Sequence, residues 1–272
     1  MALDRQHRLG TKPIVNEEAG YVYCVADTGA EMSLGEIGIE RNEVYTIPYR
    51  DISAVVHRCP ALPYRSDNQE VVKTWVMTHQ KVVDAAWERW GTVLPLGFDT
   101  IIRQEMGKSA EHNITAWLKQ EYEELKGKIA RVRGKAEYGV QVLWQHKLVA
   151  RNLVQTSPEI RNLEEEIKAK TKGLAYLYRQ KLENLIKREM ESKADECFHD
   201  FYGRLRKHTD DVRVEKTKKA EPDWQMIMNL SCLVAREKYL ELGEELGSID
   251  GMAGFSVRFT GPWPPYSFVG SS

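Results

Sequence analysis

Residues 171–208 contain no proline and only two glycines, and apolar side chains recur there at Leu174, Tyr178, Leu182, Ile186, Met190, Ala194, Cys197, Phe201 and Leu205. Every step is three or four residues, the spacing that lines one face of an α-helix. So long a helix with a continuous apolar stripe must be covered by a second helix or by a sheet. The nearest partner in the chain is the preceding helical stretch, interrupted at Ser157-Pro158. A helical hairpin or short coiled coil is therefore expected over about residues 147–208.

Strand patterns flank this hairpin. Before it, residues 137–144 read EYGVQVLW. After it, residues 206–221 (RKHTDDVRVEKTKKAE) form a charged, apolar-poor loop, and residues 224–234 read as a strand. Residues 236–246 then read as a helix, and 254–260 as a last strand with alternating Phe255, Val257 and Phe259. Strand, helical excursion, strand, helix, strand is the order of a ferredoxin-like sandwich enlarged by a helical insertion.

The N-terminal half has its own alternation. Strands are expected at 20–26 (GYVYCVA), 44–48, 52–58 (ISAVVHR) and 92–98 (TVLPLGF). A helix follows the capping candidates Ser66, Asp67 and Asn68, with Val72, Trp75, Val76, His79, Val83, Ala86, Trp87 and Trp90 on one face and Gly91 as its stop. Another opens at Ser109 or Asn113 and runs to about Lys126. The expected fold is α+β in two domains. Residues 1–19 form a mobile arm, 20–130 the first domain, 131–260 the second domain with the hairpin, and 261–272 a proline- and aromatic-rich tail.

Composition narrows the function. No run of about 18 apolar residues is present to span a membrane, and the polar N-terminus MALDRQHRLGTKPIVNEEAG lacks the apolar core of a signal peptide. A cytoplasmic address follows, with Cys24, Cys59, Cys197 and Cys232 as small reduced hydrophobes. The net charge is −1, yet residues 131–220 carry 21 Lys and Arg against 14 Asp and Glu. Both signs are interleaved, as on a solvated helical face, so nucleic acid is not expected as a partner.

No catalytic constellation emerges. Gly107-Lys108-Ser109 resembles the end of a phosphate-binding loop, but Ile102 stands where that motif needs its first glycine. None of the seven histidines has a ligand-spaced partner, so no metal or other cofactor is expected. His79 lies on the apolar face of its helix and reads as a satisfied core histidine. The end of the chain is unusual. Residues 260–269 read TGPWPPYSFV, with prolines that favour an extended path and aromatics that offer large amphipathic surfaces. Trp263, Pro264, Pro265, Tyr266 and Phe268 are the candidate contact residues, either docking on their own chain or binding a partner.

Several stretches, in order, resemble the gas vesicle protein F/L family. They are the 20–26 and 52–56 strands, the His79 helix running into Val93-Leu94-Pro95-Leu96-Gly97-Phe98, then Glu137-Tyr138-Gly139-Val140, Met228-Asn229-Leu230, and Gly261-Pro262-Trp263-Pro264-Pro265-Tyr266-Ser267-Phe268-Val269. The last is the most specific. Gly97-Phe98-Asp99-Thr100 departs from the family's usual Arg-Phe-Gly-Thr. The resemblance implies a non-enzymatic protein with a ferredoxin-like N-terminal domain and a C-terminal domain joining a coiled coil to a second ferredoxin-like element. It implies a role in gas vesicle formation, contact with the small hydrophobic shell protein and other accessory proteins, and no lipid membrane. Two modes are open: shielding the shell subunit with a sheet face or groove of the first domain, or linking accessory proteins through the hairpin.

Overall fold

A computed structural model describes residues 18–105 and 107–270; the expected N-terminal arm lies almost wholly outside the described residues. The chain divides between Arg131 and Val132 into two compact units.

The first unit is built on β1 (Glu18–Ala26), an alternating stretch of apolar and aromatic residues buried from Ala19 onward. β4 (Ile52–Pro60) pairs antiparallel along its whole length, and β5 (Val93–Pro95) and β6 (Ile101–Arg103) pair on its other side. β3 (Val44–Tyr49) and the short β2 (Ser33–Gly35) extend the sheet beyond β4. The path β3-β4-β1-β5 has the ferredoxin-like strand order. Its first crossover, however, holds β2 and a 3-10 turn at Ile39–Arg41 where that fold has a helix.

Helices cover both faces of β1. α1 (Gln69–Trp90) is capped by the Asn68 side chain, which accepts the Glu70 N–H, and ends at Gly91 with φ 70°. It packs on β1 and β5. α2 (Ala110–Gln120) packs on β1, β3, β4 and β6. Tyr21 faces α1, while a Cβ on neighbouring Gly20 would lie 2.5 Å from Ile114 Cδ1 of α2. Successive strand residues point to opposite faces, so the two helices lie on opposite sides of the sheet. The helix expected from 109 to about 126 is thus two helices, α2 and α3 (Tyr122–Val132), broken at Glu121. The strand expected over 92–98 is only β5, because the chain turns at residues 97–100 to start β6.

The second unit runs β7 (Lys135–Gln145), α4 (His146–Thr156), α5 (Pro158–Lys168), α6 (Lys172–Arg206), β8 (Asp211–Val214), β9 (Trp224–Ala235), α7 (Tyr239–Asp250) and β10 (Phe255–Trp263). The antiparallel order β10-β7-β9-β8 is the full ferredoxin-like pattern, with three helices in the first crossover. Ser157 ends α4 and caps α5, with Pro158 opening the new helix where its missing N–H costs nothing. Both short helices pack along α6 as one arm of a hairpin. The lower half of α6 brings Cys197, Phe201 and Leu205 onto a sheet core of Val140, Val142, Trp144, Met228 and Leu230, together with Leu242 and Leu246 of α7.

Three details correct the sequence reading. The charged 206–221 segment contains a strand, β8, paired to β9. β10 continues through Gly261 and Pro262 to Trp263. In the stripe of α6, Leu174 points outward and neighbouring Ala175 is buried.

Candidate functional site

In the first unit, the alternation of β1 places Tyr21 and Tyr23 on the face that α1 covers. His57 stands opposite Tyr21 in the β1–β4 register, and their rings stack 5.0 Å apart. These side chains join in one network. Tyr21 Oη lies 2.8 Å from His79 Nδ1, and Tyr23 Oη 2.7 Å from His57 Nδ1. His57 Nε2 is 2.9 Å from Tyr64 Oη. The backbone N–H of Asp99 donates to Tyr21 Oη and that of Ile39 to Tyr23 Oη, and the Asp99 carboxylate accepts the N–H of Tyr64.

Proton placement follows from these bonds. Each tyrosine oxygen already accepts a backbone N–H, so each hydroxyl donates to a histidine Nδ1. Both imidazoles then carry their proton on Nε2 (an assignment from the network). His57 passes that proton toward Tyr64, whereas His79 Nε2 makes no hydrogen bond of good geometry and has the Leu96 backbone as its neighbour. Burial disfavours charge, pulling both histidines down to about 4 and pushing the Tyr21, Tyr23 and Tyr64 phenols upward. Burial also pushes the neighbouring Cys59 thiol up to about 11. These groups are therefore neutral near pH 7, with Tyr21, Tyr23, His57 and His79 buried and Tyr64 half-buried at the edge, which suits a clamp. They tie α1, the 3-10 turn, residues 61–65 and the Asp99 turn to the sheet. His79 is the core histidine expected from its helical position, though one ring nitrogen is left incompletely paired. The Tyr-x-Tyr alternation in GYVYC opposite His57 in ISAVVHR was the signal by which the rest of the network could have been found.

Apolar side chains are left exposed on α1 and on the segment beside it. Tyr64 meets Trp75 of α1 edge-on at 5.3 Å, holding residues 61–65 beside the helix. Leu62 in that segment is 63% exposed, and Met77 on the outside of α1 is 51% exposed. Val76, which the spacing placed on the apolar face, is 42% exposed as well, the buried face running instead through His79, Val82, Val83 and Ala86. Ile37 is also exposed. A groove of about 740 Å³ beside β3 and α2 has a different character, with Glu31, Asn42, Glu43, Tyr45, Arg58, Glu111 and His112 among its walls. Within it Glu111 accepts from Tyr45 and Arg58, and the guanidinium holds that carboxyl below its usual range.

In the second unit, the tail lies against its own sheet. Trp263 pairs with Glu137 in register and keeps an exposed ring. Gly261, at φ 120°, passes so close to β7 that a Cβ would sit 2.8 Å from the Glu137 carbonyl oxygen. Pro264 and Pro265 are buried, and Tyr266–Val269 form the short α8. Ser267 donates its N–H and its hydroxyl to the buried Glu137 carboxylate at 2.7 and 2.5 Å. Phe268 is fully enclosed, with the Arg213 guanidinium 5.8 Å from its ring, and Tyr266 is half-buried. The five tail residues thus sit within one unit, with Trp263 the most exposed.

Among the described residues no group of three or more His, Cys, Asp or Glu is arranged to hold a metal ion, and no helix is long and apolar enough to cross a membrane. The family model described as "Gas vesicle synthesis protein GvpL/GvpF" matches residues 19–270. Gas vesicle protein L2 of Halobacterium salinarum is 30% identical over 92% of this chain and 90% of its own length. Gas vesicle protein L1 of the same organism is 28% identical over 92% and 89%. The crystal structure of the gas vesicle protein GvpF from Anabaena shares the fold, with a TM-score of 0.76 over 94% of this chain and 99% of that one at 19% identity. GvpF from Microcystis aeruginosa gives 0.64 over 93% and 99% at 18% identity.

Proposed function

This chain belongs to the gas vesicle synthesis protein GvpL/GvpF family and takes part in gas vesicle formation, and from that premise we propose that its first unit shields the small apolar shell subunit in the cytoplasm until that subunit joins the growing shell. A subunit that lines a gas space exposes more apolar surface than a soluble monomer tolerates, so it needs a cover. The observation that carries the reading is the apolar exposure at Leu62, Val76 and Met77, on a unit otherwise well packed and clamped from within. Each such side chain is only about half exposed, so burying what remains contributes roughly 1 kcal/mol. The open sheet face expected for this contact does not exist on β1, because α1 and α2 cover both of its sides. The groove beside α2 is lined mainly by charged and polar groups and makes a poor complement to an apolar subunit. The outer surface of α1 therefore takes the role.

The test uses the full chain co-expressed with the shell protein. V76D/M77D should leave circular dichroism unchanged and lower the soluble, co-purifying shell protein by about ten-fold. Unchanged recovery would overturn the assignment to this surface.

A second reading is favoured by Leu174, Tyr176 and Leu177, exposed at the outer end of the hairpin. Here the hairpin links this protein to another gas vesicle accessory protein. Replacing residues 158–186 with a short glycine–serine turn spares the part of α6 that packs on the sheet. Accessory-protein capture should then be lost while shell-protein recovery persists. Capture that survives the excision would defeat this reading.

A further inference from the structure

We propose that the outer end of the helical hairpin is a docking site for an acidic amphipathic helix of a partner protein; this rests on the hairpin-linker reading above and adds the chemistry of the partner. The three-residue connection between Lys168 and Lys172 makes this end the tip. At 1.5 Å per residue, Leu174 stands about 35 Å along the axis from Cys197, where α6 enters the sheet core. The tip is thus an arm well removed from its own unit's core.

Two features coincide there. Leu174 and Leu177 are 49% and 54% exposed. They are spaced i, i+3, so they form one short ridge on the side of the helix, the shape that packs into the groove of another helix. Around that ridge cations predominate: residues 167–182 contain Lys168, Lys170, Lys172, Arg179 and Lys181 and no Asp or Glu, while Glu164, Glu165 and Glu166 stand on the preceding turns of α5. Lys170 and Lys181 each place their ammonium 5.0 Å from the Tyr178 ring centroid, which fixes two of these charges beside the leucines.

The contrast with the lower hairpin identifies what is missing. There several cations find partners within the chain: Arg188 with Glu159 at 3.5 Å, Lys187 with Glu191 at 3.9 Å, and Lys193 with Glu196 at 2.9 Å. Among the described residues Lys168, Lys170, Arg179 and Lys181 enter no ion pair, and all four are exposed. The complement of an apolar ridge flanked by unpaired cations is an apolar ridge flanked by carboxylates, and a helix supplies both in one element. A bilayer surface calls for a broad apolar face, which Leu174, Tyr176 and Leu177 within one turn of helix do not make. Nucleic acid would answer the charges and leave Leu174 and Leu177 without a complement.

The probe is a fluorescein-labelled synthetic amphipathic helix with a leucine stripe flanked by glutamates, titrated with the full chain and followed by anisotropy. Its control is the same peptide with lysines for glutamates. Further arms are vesicles of phosphatidylglycerol and phosphatidylcholine, and duplex DNA. The glutamate peptide should bind at least about ten-fold tighter than the lysine peptide, and K170E/R179E/K181E should reverse that preference. L174S/L177S should weaken binding by about ten-fold with unchanged circular dichroism. Equal binding of the two peptides, an unaltered preference in the charge-reversed chain, or tighter binding to vesicles or DNA would each overturn the proposal. Accessory-protein capture that is lost on hairpin excision but insensitive to both tip variants would overturn this inference and leave the linker reading standing. Capture insensitive to the excision itself would remove both.

Discussion

The two units thread their four principal strands in the same order, yet they use the first crossover in opposite ways. In the first unit the crossover is a short excursion with β2 and a 3-10 turn, and helices arriving later in the chain cover both faces of β1. Tyr21, Tyr23, His57 and His79 are buried there, and each tyrosine hydroxyl pairs with a histidine inside. In the second unit the crossover is three helices, and most of that length projects as a hairpin whose tip leaves leucines in solvent. One strand order therefore serves a closed body with a buried polar clamp and a body with a reaching arm. What fills the connection, more than the sheet, decides which surfaces are offered.

This contrast can be tested by disturbing one region and watching the other. The largest effect should come from acid. His57 and His79 have an ordinary pKa of 6.5 in the unfolded chain and about 4 in the folded one, both lowered first by burial. The folded state thus binds fewer protons, so the stabilisation is fully present above pH 6.5 and is lost as pH falls toward 4. Each histidine contributes on the order of 3 kcal/mol across that window. Hydrogen exchange should show β1 and β4 amides losing protection between pH 6.5 and 4, once intrinsic rates are corrected, well ahead of β7 and β9. Parallel loss in both sheets would mean that the clamp does not distinguish the units.

Next in size is Phe201→Ala, which opens a cavity where α6 meets the second sheet and should cost about 3–5 kcal/mol. Its signature is faster exchange in β7 and β9 with β1 unchanged. Equal acceleration in β1 would show that the two cores melt together.

The smallest effect belongs to the tail. Glu137→Gln keeps the shape but replaces a carboxylate that takes two bonds from Ser267 with a neutral amide, at a cost of about 1–2 kcal/mol. Proteolysis after Tyr266 or Phe268 by chymotrypsin should quicken several-fold while the hairpin cleavage pattern stays the same. No change in tail cleavage would show that burial of Phe268 alone holds it.

Much of this architecture is visible in residue spacing. The step pattern from Tyr178 to Leu205 requires a long helix, Ser157-Pro158 breaks its partner into α4 and α5, and the tyrosine and valine alternation of residues 20–25 gives β1. The short strands were harder to see. Asp211-Val212-Arg213-Val214 sits in a charged segment and becomes β8 because β9 offers an edge. Likewise β6 exists through its pairing with Ala19, Gly20 and Tyr21. Three or four residues carry too little local preference to specify a strand, so a distant partner must complete the hydrogen bonds. The same holds for the candidate surfaces. Periodicity places Leu174 on the apolar stripe, but at that turn Ala175 takes the covered side of α6 and Leu174 faces outward.

The sequence by itself determined the long helices, the Ser157-Pro158 break, the principal strands, and the family resemblance carried by the C-terminal tail. Those features depend on backbone preferences and side-chain spacing within a few residues, which the chain states locally. Only the tertiary structure decided that both faces of β1 are closed, that Tyr23 meets His57 and Tyr21 meets His79, and that Glu137 captures Ser267 from across 130 positions. Exposure and pairing depend on which distant segments arrive to exclude water, and no local pattern encodes that arrival.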